Sequence, residues 1–206
     1  MYHIHDDKRQ IDTAERIRLS LTRCLLTKQM SEISVSDLAA ESGVSRSTFY
    51  RSFDTPVDVL AYACDVRIDT LIKDFTSAQI DDKDSLVLFT LRYLSRDTQL
   101  LEAIVNCDRL DIVQKGLENH SDALLESIRE ELRSEFTEAE LDYLRMGLVG
   151  LVTNLLVVWI SRGKKETPEQ MYQLYRKLYQ LERELDDPAA FNAHSLPTVS
   201  SGGVSR

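Results

Sequence analysis

The chain has 206 residues, 43% of them apolar and 29% charged, and carries a formal net charge of -9. That length holds one domain of ordinary size or two small ones, and with only four prolines and seven glycines it leaves room for long helices. An acidic surface excludes general nucleic-acid affinity over the whole molecule, and three widely spaced cysteines without a Cys-x-x-Cys pair exclude a zinc knuckle or a dithiol motif.

Residues 1–10 (MYHIHDDKRQ) have no apolar core, so they read as a disordered N-terminus and not as a secretory leader. A first helix is expected from Asp12, with Glu15 in its first turn and Ala14, Ile17, Leu21 and Leu25 buried. From Ile33 the start signals repeat three times. Ser34 caps a helix, with Asp37 completing a short capping box and Ile33 and Leu38 stapling it. Gly43 ends that helix where a left-handed residue carries no steric cost. Ser45 caps the next helix, stapled by Val44 and Phe49, and Thr55, Pro56 and Asp58 open a third. Helix, glycine turn, short helix is the spacing of a helix-turn-helix.

The second helix of that unit opens with Ser45, Arg46, Ser47 and Thr48, where recognition residues reach base edges. Phe49 and Phe53, four apart, anchor it to the core, and Tyr50 and Arg51 lie beside them for phosphates. The expected DNA contacts are therefore Ser45, Arg46, Ser47, Thr48, Tyr50 and Arg51, with the flanking caps Ser34 and Thr55. Residues 1–54 hold eight Lys/Arg and eight Asp/Glu, so the acidity lies in the rest of the chain; Gly43–Phe53 has two arginines and no acid.

A long helix follows from Pro56 to about Phe75, with Leu60, Cys64, Ile68, Leu71 and Phe75 on one side, and a polar linker at Ile80–Asp84. The body is expected to start with a helix near Ser85 bearing Leu86, Phe89, Tyr93 and Leu94. One or two short helices then fall between Thr98 and Leu117, closed by Gly116, and another runs from Ser121 to Ser134. Thr137 and Glu140 form a full capping box for a helix to Arg162 that is apolar on all sides, and such a helix must be buried all round. Its longest apolar run, Gly147–Ile160, falls short of the ~20 residues that span a bilayer. The last helix begins at Thr167-Pro168 and repeats Met171, Leu174, Leu178, Leu181 and Leu185 at steps of three and four. These two helices are expected to pair with those of a second copy as a four-helix bundle through Leu148, Leu151, Leu155, Met171, Leu174, Leu178 and Leu181. Phe89, Tyr93, Tyr143, Met146, Gly150 and Asn154 are the candidate lining of a small-molecule cavity. Residues 186–206, rich in Ser, Gly and Pro, read as a disordered tail.

The segment Ile11–Leu60 resembles the DNA-binding domain of the TetR family of bacterial transcriptional regulators. The resemblance is carried by Val35, Asp37, Leu38, Ala39, Gly43, Val44, Ser45, Thr48, Phe49, Tyr50 and Phe53, and above all by GVSRSTFYRSF; VVWISRGKKETPEQM echoes the last two helices of the family. It implies an all-α homodimer with an N-terminal three-helix helix-turn-helix DNA-binding head and a larger C-terminal helical body for ligand binding and dimerisation. In this chain these would be a head at 11–54, a connecting helix at 55–78 and a body at 84–185. Many members place a lysine near the start of the fourth helix to touch phosphate. The sequence DTPVD has none, which leaves that contact to the helix N-terminus.

The function expected is a sequence-specific, ligand-responsive repressor that binds a palindromic operator on double-stranded DNA as a dimer. The alternative is a regulator-like protein without ligand control that acts through a protein partner. The chain shows no nucleophile elbow, glycine-rich phosphate loop or metal-ligand cluster, so neither an enzyme nor a cofactor or metal is expected. Three free thiols suit a reducing cytoplasm, and no membrane association is expected.

Overall fold

The computed structural model describes residues 2–4, 7–78, 83–96, 98–126 and 136–185; the side chains of 83, 121–126 and 179–185 lie outside that description. Among these residues the chain forms nine α-helices and one 3₁₀ turn (Met30–Glu32). The helices are α1 Lys8–Leu25, α2 Val35–Ser42, α3 Arg46–Phe49, α4 Pro56–Ser77, α5 Lys83–Ser95, α6 Gln99–Asn106, α7 Leu110–Glu126, α8 Glu138–Ser161 and α9 Pro168–Leu185. The tail at 186–206 lies outside the described residues.

Local chemistry explains most helix starts. Ser34 accepts from Asp37 N at 3.2 Å while Ser34 N donates to Asp37 Oδ2 at 2.8 Å. The same reciprocal box forms at Thr55/Asp58 and at Thr137/Glu140. Each box satisfies backbone donors that the first helical turn leaves open. Gly43 ends α2 at φ +67°, in the left-handed region.

One apolar core runs through head and body. It joins Ala14, Ile17 and Leu21 of α1 to Leu38, Phe49 and Phe53 of the helix-turn-helix. Through Leu60, Cys64 and Ile68 of α4 it continues to Leu91, Ile104, Leu117, Leu156, Trp159 and Tyr175. The connecting helix α4 is thus part of both halves, with its most extensive packing against α7. A smaller cluster gathers Phe75 and Leu86, with Phe89, Leu141 and Leu144 packed around them.

Several expectations are corrected. Residues 2–4 and 7–10, within the stretch expected to be disordered, take defined places: α1 starts at Lys8, capped by Asp7, whose carboxylate accepts from Arg9 N at 2.9 Å, and Tyr2 and Ile4 pack against the core. The aromatic ring of Tyr2 finds a place to bury, which a count of apolar residues over the segment does not reveal. α5 already begins at Lys83, inside the expected linker. Gly116 does not end a helix. It lies within α7, where a Cβ would run into Ile68 Cδ1 and stand 3.1 Å from Asp65 Oδ1 and 3.9 Å from Cys64 Sγ. Its role is the close approach of α7 to α4. The helix expected from Ser121 starts within α7, and residues 127–135 lie outside the described residues.

Within one protomer the helix expected to need cover all round is covered on one side only. Val152, Thr153, Leu156 and Trp159 are the buried positions of α8, whereas Tyr143, Met146 and Val158 are 81%, 49% and 54% exposed. Neighbouring helices cover one face of α8 and leave the other open. α8 is also the one described helix long and apolar enough to cross a membrane, because the helix continues over 24 residues, past its uninterrupted apolar run. Its inner face nonetheless packs into the core shared with α4 and α6.

Candidate functional site

The recognition turn is built from a buried anchor and an exposed tip. Phe49 and Phe53 are fully buried with ring centroids 5.7 Å apart. Arg46, Ser47, Tyr50 and Arg51 between and before them are exposed. Ser45 caps α3, a single turn, by accepting from Thr48 N at 3.1 Å. The Ser45 hydroxyl also lies 2.9 Å from Ser47 Oγ and 2.8 Å from Thr48 Oγ1, so three hydroxyls form one small network at the tip.

The remaining expected contacts differ from these. The Ser34 and Thr55 hydroxyls donate to their box acids, Asp37 Oδ2 at 2.7 Å and Asp58 Oδ2 at 2.9 Å. Capping occupies their donors, so what these helix starts offer an anion is mainly backbone N–H and dipole. Lys28 Nζ sits 2.7 Å from Asp37 Oδ1, and this ammonium together with the Ser34 hydrogen bonds holds the Asp37 carboxyl well below the usual aspartate range. Arg16 of α1 donates to the carbonyls of Ser42 and Gly43 at 2.6 and 3.3 Å, pinning the turn between α2 and α3.

Sequence reasoning missed one part of this face. A cleft of about 670 Å³ opens between the start of α1 and the recognition turn, lined by Asp7, Arg9, Gln10, Thr13, Thr48, Arg51 and Ser52. Arg9 and Arg51 both line it. A usable signal was present, since Lys8 and Arg9 place two cations in a first turn, where the helix dipole favours acids.

In the body, the residues expected to line a cavity do not converge. Phe89 packs on Phe75, with centroids 5.6 Å apart, in the small cluster. The Tyr93 ring takes the Arg67 guanidinium 5.2 Å from its centroid, and its carbonyl accepts from Arg67 at 3.2 Å. Tyr143, Met146 and Asn154 face outward, and no atom comes within 4 Å of a Cβ built on Gly150. Leu148, Leu151 and Leu155, expected at an interface, are instead half-buried against the protomer's own core. Met171 is 2% exposed and belongs to that core as well. The cause is the rotation of α8: Val152, Leu156 and Trp159 form its inward line, so the leucine line falls at the flank. Leu174 and Leu178 of α9 do face outward, each 44% exposed, while the side chain of Leu181 lies outside the described residues.

Residues 81–180 match the family model TetR_C_8, a transcriptional regulator C-terminal region. Over these residues the body is similar to the C-terminal region of TetR-type transcriptional regulators. No curated protein sequence matches it. Solved structures share its fold at low identity. The fatty acid degradation regulator FadR from Bacillus halodurans aligns with a TM-score of 0.57 and 18% identity, over 82% of this chain and 93% of that one. FadR from Bacillus subtilis, solved in complex with stearoyl-CoA, aligns with a TM-score of 0.59 and 16% identity, over 81% and 96%. The dihydroxyacetone kinase operon activator DhaS aligns with a TM-score of 0.51 and 19% identity, over 83% and 94%. The TetR family match begins at residue 81, so the helix-turn-helix geometry at Ser34–Phe53 is independent of it.

Proposed function

We propose that this regulator binds a palindrome-like operator as a homodimer, represses transcription by occupying it, and is released by a small molecule bound in the body. The head would be residues 11–54, the connecting helix 55–78 and the body 84–185. The observation that carries this reading is the recognition turn, where an arginine among hydroxyls stands exposed on two fully buried phenylalanines. A guanidinium matches the two major-groove acceptors of guanine, which gives Arg46 the base-reading role, with Ser47 and Thr48 beside it. Tyr50, Arg51 and, across the cleft, Arg9 take phosphates; Ser34 and Thr55 contribute through their helix N-termini.

The open faces of α8 and α9 support the dimer. Tyr143, Met146, Gly147, Asn154 and Val158 lie together on one side of α8, and Leu174 and Leu178 lie on α9. Two copies packed there would form a four-helix bundle and hold two recognition turns for successive major grooves about 34–36 Å apart. The stearoyl-CoA complex of the Bacillus subtilis fold relative supports acyl-CoA thioesters as the first effector class to try.

The test is a gel shift with DNA from upstream of the chain's own gene, against unrelated DNA of equal length. A specific shift is expected with dissociation constants in the range of about 10⁻⁸–10⁻¹¹ M. Arg46→Ala is expected to cost about 1–3 kcal/mol of specific binding and to relax the base preference at one position of each half-site. Stearoyl-CoA is expected to relieve the shift. Equal affinity for both DNAs would refute operator recognition; a specific shift that no small molecule relieves would move control to a protein partner.

A further inference from the structure

The recognition turn is too short to fix its own direction, so what grips its exit matters. Residues 2–4 lie against that exit. Tyr2 forms an antiparallel bridge with Phe53, and His3 N donates to the Ser52 carbonyl at 2.8 Å. Gln10 of α1 donates to the carbonyls of His3 and Arg51 at 2.5 and 3.3 Å, and His3 Nε2 lies 3.1 Å from Asp54 Oδ2. The strap is therefore held to the residues that follow α3 and to α1 at once.

Its far end reaches α4. The Tyr2 ring stands edge-on to Tyr62, centroids 5.4 Å apart, and Tyr62 lies 5.7 Å from Phe53. The Tyr2 hydroxyl donates to Asp65 Oδ2 at 2.5 Å. The other oxygen of Asp65 faces α7 at Gly116, within 3.1 Å of the place a Cβ would take. One carboxylate thus meets the strap on one side and the α4–α7 contact at Gly116 on the other. Burial first, and then the hydrogen bond and charge of Asp65, hold the Tyr2 phenol well above its ordinary value, so it stays a donor at any working pH.

We propose that Tyr2 is a positioning residue for DNA recognition: through Asp65 it locks the exit of the recognition turn to the α4–α7 joint, so that a shift between α4 and α7 is passed to the DNA-binding face. This rests on the DNA-binding reading above. It assigns residues 2–4 a function that neither the helix-turn-helix nor the body supplies. A bond between a neutral donor and a charged acceptor in a half-buried place is stronger than an ordinary one, which suits a mechanical link.

The test uses the full chain with any purification tag at the C-terminus. Tyr2→Phe deletes the hydroxyl and keeps the ring on Tyr62. It is expected to weaken operator binding by about tenfold, the low end for loss of a hydrogen bond to a charged group, and to leave affinity for unrelated DNA unchanged. Gly116→Ala, which pushes on α4, is expected to change operator affinity in the unsubstituted chain and to have no effect in the Tyr2→Phe background. Amide exchange by mass spectrometry is expected to quicken in Phe49–Thr55 of Tyr2→Phe, with α8 unchanged. Equal operator affinity of Tyr2→Phe and the unsubstituted chain overturns the proposal, and so do additive effects of the two substitutions. If the unsubstituted chain binds no specific DNA, the DNA-binding reading fails, and the exchange experiment alone decides: quickening confined to Phe49–Thr55 sustains the strap, and unchanged exchange overturns it.

Discussion

Replacing Gly116 with alanine sets two effects of opposite sign against each other. Glycine inside a helix is less favourable than alanine by about 1 kcal/mol, so on local grounds Gly116→Ala stabilises α7. The tertiary contact opposes this. The new methyl meets Ile68 Cδ1 at less than contact distance and Asp65 Oδ1 at 3.1 Å. Ile68 is 2% exposed, so its side chain has little room to yield. Overpacking of this kind costs about 1–3 kcal/mol. The net expectation is a destabilisation of up to about 2 kcal/mol, or a Tm lowered by up to about 8 °C at about 2–4 °C per kcal/mol for a chain this size. Circular dichroism at the helical band during heating and urea titration reads it. The specific check is the pair with Ile68→Val, which removes the clashing carbon. Ile68→Val alone is expected to cost about 0.5–1.5 kcal/mol. The double variant is expected to be more stable than either single variant, because the alanine methyl fills the space that valine vacates. Contacting residues couple in this way, whereas distant ones add. A Gly116→Ala protein more stable than the unsubstituted chain by the full helix-propensity gain would refute the close approach of α4 and α7.

Two further outcomes follow from other parts of the molecule. The Asp37 carboxyl is held below its ordinary value of 3.8 by Lys28 and Ser34, so it adds stability above that pH and loses it as pH falls through the lower folded-state value. The stability gap between the unsubstituted chain and Asp37→Asn is therefore expected to be widest near neutrality and to shrink below about pH 5 in urea titrations, and a gap independent of pH would sink the assignment. Val158, 54% exposed on the open face of α8, is expected to be covered in the dimer, so Val158→Arg should give a monomer by analytical ultracentrifugation while leaving helix content intact; an unchanged sedimentation coefficient would place the interface elsewhere.

What could be read without a structure lies within a few residues along the chain. The capping boxes at Ser34, Thr55 and Thr137, the left-handed Gly43 and the Phe49/Phe53 anchor all depend on groups three or four positions apart. Their geometry is set by the helix itself, so residue type and spacing suffice to place them. The helical class and the exposed recognition turn are legible for the same reason. The tip is finer than its residues suggest, because the hydroxyls of Ser45, Ser47 and Thr48 spend hydrogen bonds on one another.

Tertiary packing decided the rest. Apolar residues on every side of α8 say that it needs cover all round, but they carry no phase. The angle at which α8 meets its neighbours turned Val152, Leu156 and Trp159 inward, so Tyr143, Met146 and Asn154, expected in a cavity, lie on its open face, and Leu148, Leu151 and Leu155 lie at the flank against the core. Gly116 looks like a helix end in sequence and is a point of close approach in space, since nothing local marks the nearness of Asp65 and Ile68. Tyr2 meets Asp65 across 63 positions. Contacts of that separation leave no periodic trace in the chain; they arise only when the helices around them have already taken their places.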